Sequence, residues 1–276
     1  MLVTLKEILQ IAEEKGIAIG SFNTPNMTSV RAVIGAAEAL QQPVILMHAQ
    51  VHEEMGLCRM EEIAPVMSQF AQRAAVPVCV HLDHGTDLDY VKRGLALGFT
   101  SVMYDGSVLS TAENTANTRI AVEAARHAGA SVEAEIGSMG AREGGAGDDT
   151  SIYTDPDAAV QFVADTGIDA LACAFGTAHG FYRAQPKLDY DRLSAIHERI
   201  SVPIVMHGGS GVSAADYREV IRRGVRKVNY YTYMAKAGGD AISGKTYAQF
   251  HDALLDAENA MRENVKQAIA VFAGLE

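Results

Sequence analysis

The chain has 276 residues, 48% hydrophobic and 21% charged, which is ordinary globular composition. A formal net charge of −11 with no block of Lys or Arg argues against nucleic acid and anionic membrane as partners, since both need a basic face. Cys58, Cys79 and Cys173 lie far apart, no signal-peptide core opens the chain, and no apolar run approaches the roughly 18 residues that cross a bilayer, so a cytoplasmic protein is expected.

The first predicted element is the amphipathic helix of MLVTLKEILQIAEEKG, opened by a capping box of Thr4 and Glu7. Short apolar runs then alternate with helical patterns. Strands are predicted over 17–23, 43–49, 76–82, 101–106, 131–137, 170–175, 203–209 and 227–232. Asp155-Pro156 reads as an N-cap followed by the first helical residue, and Ser213 opens another helix. Gly98, Gly129, Gly167 and Gly224 each fall where a helix should stop before the next strand. The last element is a long helix from Thr246 to about Phe272. Its Phe250, Leu254, Met261, Val265, Ile269 and Phe272 form one apolar stripe, suited to covering a barrel, and its length suggests an overhang toward another subunit.

Continuous apolar strands in eight βα units, with no linker between them, predict the α/β class. The expected fold is a single (β/α)8 TIM barrel, one domain over 1–276, with an N-terminal helix and a long C-terminal helix. A doubly wound open sheet is the alternative, but the first loop, FNTPNM, lacks a glycine-rich turn.

Active sites of such barrels sit at the C-terminal strand ends. The third strand runs into HLDHG, with His81, Asp83, His84 and then Gly85 as the turn into the next helix. The fourth ends in Asp105-Gly106, the fifth in Glu133, Glu135 and Gly137, and the sixth in GTAHG with His179 and Gly180. The seventh ends in His207-Gly208-Gly209-Ser210-Gly211, and the eighth in Asn229 to Thr232. A lone histidine at a strand end is more often a hydrogen-bonded loop residue than a ligand. Three together, His84, His179 and His207, suit an open catalytic Zn²⁺ site, where neutral imidazoles bind at ~2.0–2.1 Å and leave a position for substrate. His81 shares the face of Asp83 and either holds it or lines the barrel. His48, His127, His197 and His251 read as structural or solvent-facing. HGGSG and the Asn229–Thr232 segment offer backbone N–H groups and hydroxyls where barrels usually bind phosphate. The loop GSMGAREGGAGDDTS has the length and glycine content of a lid, within which Glu143 could reach the site.

In this order, HLDHG, SVMYDGS, VEAEIG, GTAHGFY, HGGSG and KVNYYT resemble the class II zinc-dependent ketose-bisphosphate aldolases, a family that includes fructose- and tagatose-bisphosphate aldolases. The likeness begins at SFNTPN and covers nearly the whole chain. It implies reversible cleavage of a phosphorylated ketose to dihydroxyacetone phosphate and an aldehyde, as in glycolysis. His84, His179 and His207 would hold Zn²⁺, with Asp105 and Glu135 as an alternative inner metal site. Asp83 would be the acid/base on the hydroxyl that becomes the aldehyde, and Glu143 would exchange the proton at the enediolate carbon. Gly180, Gly208, Gly209, Ser210, Asn229, Tyr230, Tyr231 and Thr232 would bind dihydroxyacetone phosphate beside a monovalent cation, Na⁺ or K⁺. A homodimer or homotetramer is implied. Three departures stand out: Gly140-Ala141-Arg142-Glu143-Gly144 in the lid, bulky Tyr231 where a small or acidic residue is usual, and Ala49 where a serine often helps bind a second phosphate. They leave open the same chemistry on another aldehyde, sulfonated or acid-bearing. A non-catalytic regulatory or chaperone subunit is a further alternative, disfavoured because Asp83, Glu143 and the three histidines are all retained.

Overall fold

Side-chain alternation along the strands divides the apolar residues into two sets, one facing outward under helices and one facing inward. The computed structural model describes residues 1–137, 153–177, 180 and 186–275. Eight parallel strands close on themselves: β2 (Ile19–Asn23), β3 (Val44–Ala49), β4 (Val78–Gly85), β5 (Ser101–Tyr104), β6 (Ser131–Ile136), β7 (Ala170–Cys173), β8 (Ile204–Met206) and β9 (Val225–Asn229). Each pairs with its neighbours in the chain, and β9 pairs with β2 to close the barrel. The two-residue strand β1 (Leu2–Val3), absent from the sequence expectation, adds beside β4.

The N-terminal helix α1 (Leu5–Lys15) starts with the expected Thr4–Glu7 capping box. Its Leu5, Ile8, Leu9 and Ala12 pack against inward-facing Ile19, Ile45, Cys79, Ala170 and Val205. It therefore seals the barrel mouth at the N-terminal ends of the strands. The outward faces lie under α2 (Met27–Leu40), α3 (Gln50–Glu54), α4 (Met60–Arg73), α5 (Leu88–Ala96), α6 (Thr111–Ala128), α7 (Pro156–Thr166), α8 (Tyr190–His197), α9 (Ala214–Arg222), α10 (Thr232–Ile242) and α11 (Phe250–Phe272). Asp155 and Ser213 cap α7 and α9 as the sequence predicts.

The long helix α11 differs from expectation in where it starts and in what its stripe does. It begins at Phe250 rather than Thr246, because residues 243–249 form a polar connection. Lys245 Nζ and Tyr247 Oη pin that connection to Asp256, at 2.8 and 2.9 Å. Met261, Val265, Ile269 and Phe272 are buried, but Phe250 is 78% exposed and Leu254 38%. Only the second half of the stripe covers the barrel.

Candidate active site

Alternation along β4 points Cys79, His81 and Asp83 inward and would point His84 outward. A bulge prevents this. Against β3 the register is regular through Ala49↔Asp83, whereas against β5 it shifts between Leu82 and Gly85. His84 takes the left-handed conformation, φ 48°. This is uncommon for a residue with a Cβ, and bulges of this kind re-aim a side chain. The imidazole swings onto the rim, where it meets groups from β5 and β8. Gly85 is the last residue of the strand, not the turn expected from the sequence. A Cβ there would lie 2.8 Å from Val91 Cγ2 and 2.9 Å from the Met103 carbonyl oxygen, so close packing of α5 demands glycine. The turn follows, and Asp87 caps α5.

His84 and His207 converge. His84 Nε2 and His207 Nδ1 lie 2.8 Å apart. Each ring engages a carboxylate with its other nitrogen: His84 Nδ1 with Asp105 Oδ2 at 2.7 Å, and His207 Nε2 with Glu133 Oε1 at 2.7 Å. Ionised carboxylates only accept, so each ring donates outward and the two converging nitrogens present lone pairs to each other. A cation between them, or an extra proton on one ring, relieves that arrangement. Outer carboxylates orient metal-binding histidines in this way, so the donor set fits a Zn²⁺-type ion. Ligand atoms of Asp83, His84 and His207 lie within 4.8 Å of one another, as do those of His84, Asp105 and Glu135, the alternative inner set. Burial disfavours charge on His84, but Asp83, the Asp105 hydrogen bond and Glu135 push its pKa up to about 10. The local field thus favours a cation. His179 and Glu143 lie outside the described residues.

Asp83 is 5% exposed. Its carboxylate accepts from Asn23 Nδ2 at 3.0 Å and from Asn229 Nδ2 at 3.1 Å. Burial opposes ionisation, yet the surrounding His84, His207 and Lys227 hold the carboxyl well below the usual range. It is poised as an anion.

Beneath these groups runs a buried network through Lys227 and Glu133, two residues to which the sequence reading gave no role. Lys227 Nζ, fully buried, lies 2.9 Å from Glu133 Oε2 and donates to Asn229 Oδ1 at 2.7 Å. Because that carbonyl accepts from Lys227, the Asn229 amide turns its NH₂ toward Asp83. Burial would raise the Glu133 pKa, but Lys227 and the His207 hydrogen bond hold it below the usual range. His81 proves to line the barrel, with Nδ1 2.8 Å from Ser101 Oγ and Nε2 3.6 Å from Glu133 Oε2. A usable signal existed: Lys227 stands two residues before Asn229, the i, i+2 spacing that puts both on one face.

On the phosphate side, several expected backbone donors are already engaged. The Gly209 N–H donates to the Asn229 carbonyl at 3.1 Å, and the Tyr230 N–H to the Ser21 carbonyl at 2.8 Å. The Tyr231 N–H donates to Ser210 Oγ at 3.1 Å. The Tyr230 ring turns into the helix layer, with its centroid 5.9 Å from Phe22 and 6.2 Å from Phe272. Gly180 and Gly208 have positive φ, 88° and 64°. Thr232 opens α10.

Comparison with known proteins agrees with this geometry. The family model for class II fructose-bisphosphate aldolases matches residues 3–275. The sulfofructosephosphate aldolase of Alkalicoccus urumqiensis is 34% identical over 97% of this chain and 95% of the relative. The solved YdjI aldolase from Escherichia coli K12 is 32% identical, with a TM-score of 0.87 over 99% of this chain and 97% of that one. A fructose-bisphosphate aldolase from Campylobacter jejuni, 22% identical, shares the fold with a TM-score of 0.81 over 98% and 95% of the two chains. No helix among the described residues is long and apolar enough to cross a membrane. The chain belongs to the class II fructose-bisphosphate aldolase family, whose members are metal-dependent lyases acting on phosphorylated sugars.

Proposed function

We propose that the protein is a zinc-dependent aldolase that reversibly cleaves a fructose- or tagatose-1,6-bisphosphate-type ketose to dihydroxyacetone phosphate and an aldehyde. The observation that carries this reading is the convergence of Asp83, His84 and His207, with ligand atoms within 4.8 Å of one another. His84 and His207, joined by His179, would hold the ion, and Asp105 and Glu135 would offer it a second position with His84. When bound, the ion supplies Lewis-acid stabilisation of the charge that C3–C4 cleavage leaves on the dihydroxyacetone fragment. Asp83 takes the C4 hydroxyl proton during cleavage and returns it to the aldehyde oxygen during synthesis. Asn23 and Asn229 hold its oxygens in place for that transfer. Glu143 exchanges the proton at the C3 carbon.

The phosphate is bound by Ser210, Thr232 and the backbone around Gly180 and Gly208, beside a monovalent cation, Na⁺ or K⁺. Asn229 acts chiefly on Asp83. Tyr230 supports the wall, and Gly209 serves as a close-packing position. The chain works as one cytoplasmic domain, assembled as a homodimer or homotetramer. Exhaustive chelation should abolish cleavage, and added Zn²⁺ should restore it in proportion to occupancy; full activity in the chelated protein would remove the metal mechanism.

A second reading changes only the aldehyde. Ala49 ends β3 opposite Asp83 and itself offers no hydroxyl to a second phosphate. With a sulfofructosephosphate aldolase among the relatives, this favours a sulfonated or acid-bearing aldehyde. Comparing kcat/KM for fructose and tagatose bisphosphates with that for sulfofructose phosphate distinguishes the two.

A further inference from the structure

One buried histidine beside the reaction site has no task in this scheme. His52 lies on α3, which directly follows Ala49, the register partner of Asp83. It is 5% exposed, and its Nδ1 is buried without a hydrogen-bond partner among the described residues. Buried polar atoms are rarely left so, unless something bonds them in the working state. Its ring packs on that of Tyr231, with centroids 4.8 Å apart and planes at 51°. Tyr231 in turn donates its N–H to Ser210 Oγ, so the ring is joined to the loops after β8 and β9.

The surroundings indicate what this imidazole can bind. Burial lowers its pKa, against the pull of the nearby Asp83 charge. At neutral pH it offers one N–H donor and one lone pair. The neighbouring His48 is satisfied, with Nε2 3.0 Å from Tyr90 Oη and Nδ1 3.7 Å from Cys58 Sγ. Arg93 is engaged by Glu53 at 2.7 Å and Glu61 at 3.1 Å. A terminal phosphate or sulfonate calls for a cation or several N–H groups, which the described residues of this wall do not supply. A hydroxyl asks for one partner. His52 lies three residues beyond Ala49, the register partner of Asp83, so a substrate whose C4 hydroxyl meets Asp83 brings the carbon after C4 toward its ring.

We propose that His52 is a specificity-determining residue for the aldehyde half of the substrate. Its imidazole hydrogen-bonds the hydroxyl on the carbon next to the aldehyde carbon, and Tyr231 holds the ring in position. The preference is for 2-hydroxyaldehydes, whatever group ends the chain. This rests on the aldolase reading.

The test uses the zinc-loaded full chain, dihydroxyacetone phosphate, and two aldehydes that differ by one hydroxyl, lactaldehyde and propanal. Exchange of the C3 proton of dihydroxyacetone phosphate with deuterated water is followed separately, without aldehyde. His52→Phe should lower the lactaldehyde-to-propanal ratio of kcat/KM at least about tenfold, the usual effect of losing one such hydrogen bond. Proton exchange should stay within about twofold of wild type. His52→Gln, which keeps a donor, should retain most of the preference. An unchanged ratio in His52→Phe with exchange intact overturns the proposal and leaves the aldolase reading standing. Loss of exchange in both variants also overturns it, because the ring would then support the whole site. Absence of exchange in the wild-type protein removes the aldolase reading, and this inference with it.

Discussion

The barrel interior is built in two halves that follow opposite rules. Near the N-terminal strand ends, Ile19, Ile45, Cys79, Ala170 and Val205 meet the apolar face of α1. The other inward positions are His81, Asp83, Glu133, His207, Lys227 and Asn229, none more than 7% exposed, with Glu133 and Lys227 in register with Ala170 and Val205 where the two halves meet. Strand β4 makes the change within itself, from Cys79 to His81 to Asp83. The lower half gains stability at roughly 25 cal/mol per Å² of apolar surface removed from water. The upper half loses solvation and is held by mutual hydrogen bonds. Damage to the two halves should therefore be read out differently.

The largest effect is expected at the buried Lys227 of the upper half. Lys227→Met leaves Glu133 buried without its charge partner, and breaking such a pair typically costs about 3–5 kcal/mol. It also frees the Asn229 amide to rotate away from Asp83. The variant should lose both thermal stability and kcat. Adding Glu133→Gln should recover much of the stability but not the kcat, because Asn229 remains unpinned and His207 has lost its carboxylate. Calorimetry and steady-state cleavage on the three variants would separate these effects. A Lys227→Met protein of unchanged stability would mean that Glu133 is neutral in the fold.

The lower half should show the converse. Leu9 is 1% exposed on α1. Leu9→Ala should cost about 2–5 kcal/mol through lost contact and a residual cavity. At temperatures where the variant stays folded, kcat and KM should match wild type. A drop in kcat would show that the plug and the rim are coupled.

The same division explains what was legible in the sequence. The apolar strands and their helix stops follow from local pattern, and all eight barrel strands fall within a few residues of expectation. Which polar groups would meet was legible only through the order of strand ends and the family likeness. The reach of His84 was hidden, because simple alternation sends it outward and only the bulge between Leu82 and Gly85 brings it back. Lys227 and Glu133 were hidden for another reason. Charged residues inside short strands look like solvent-facing positions until the barrel closes and joins β6 to β9 across its interior. Helix α3, with His52, is five residues long, too short to leave a helical period.

The smallest effect concerns a residue between the halves that belongs to neither. His48 follows Met47 and precedes Ala49 on β3, pointing outward to Tyr90 Oη at 3.0 Å. Burial pushes its pKa down to about 4; Glu53 and Asp83 oppose that shift, while His52 and Arg93 reinforce it. The unfolded chain, with a histidine pKa near 6.5, binds a proton that the folded state refuses between those two values. Stability from this residue is therefore complete above about pH 6.5 and is lost as the pH falls toward 4, at no more than about 1.4 kcal/mol per pH unit. His52, also lowered by burial, adds in the same direction. The difference in unfolding free energy between wild type and His48→Asn, followed from pH 7.5 to 4.5, should shrink with acid while kcat at pH 7.5 stays unchanged. A difference that does not vary with pH would place the acid sensitivity in the carboxylate and histidine network of the upper half instead.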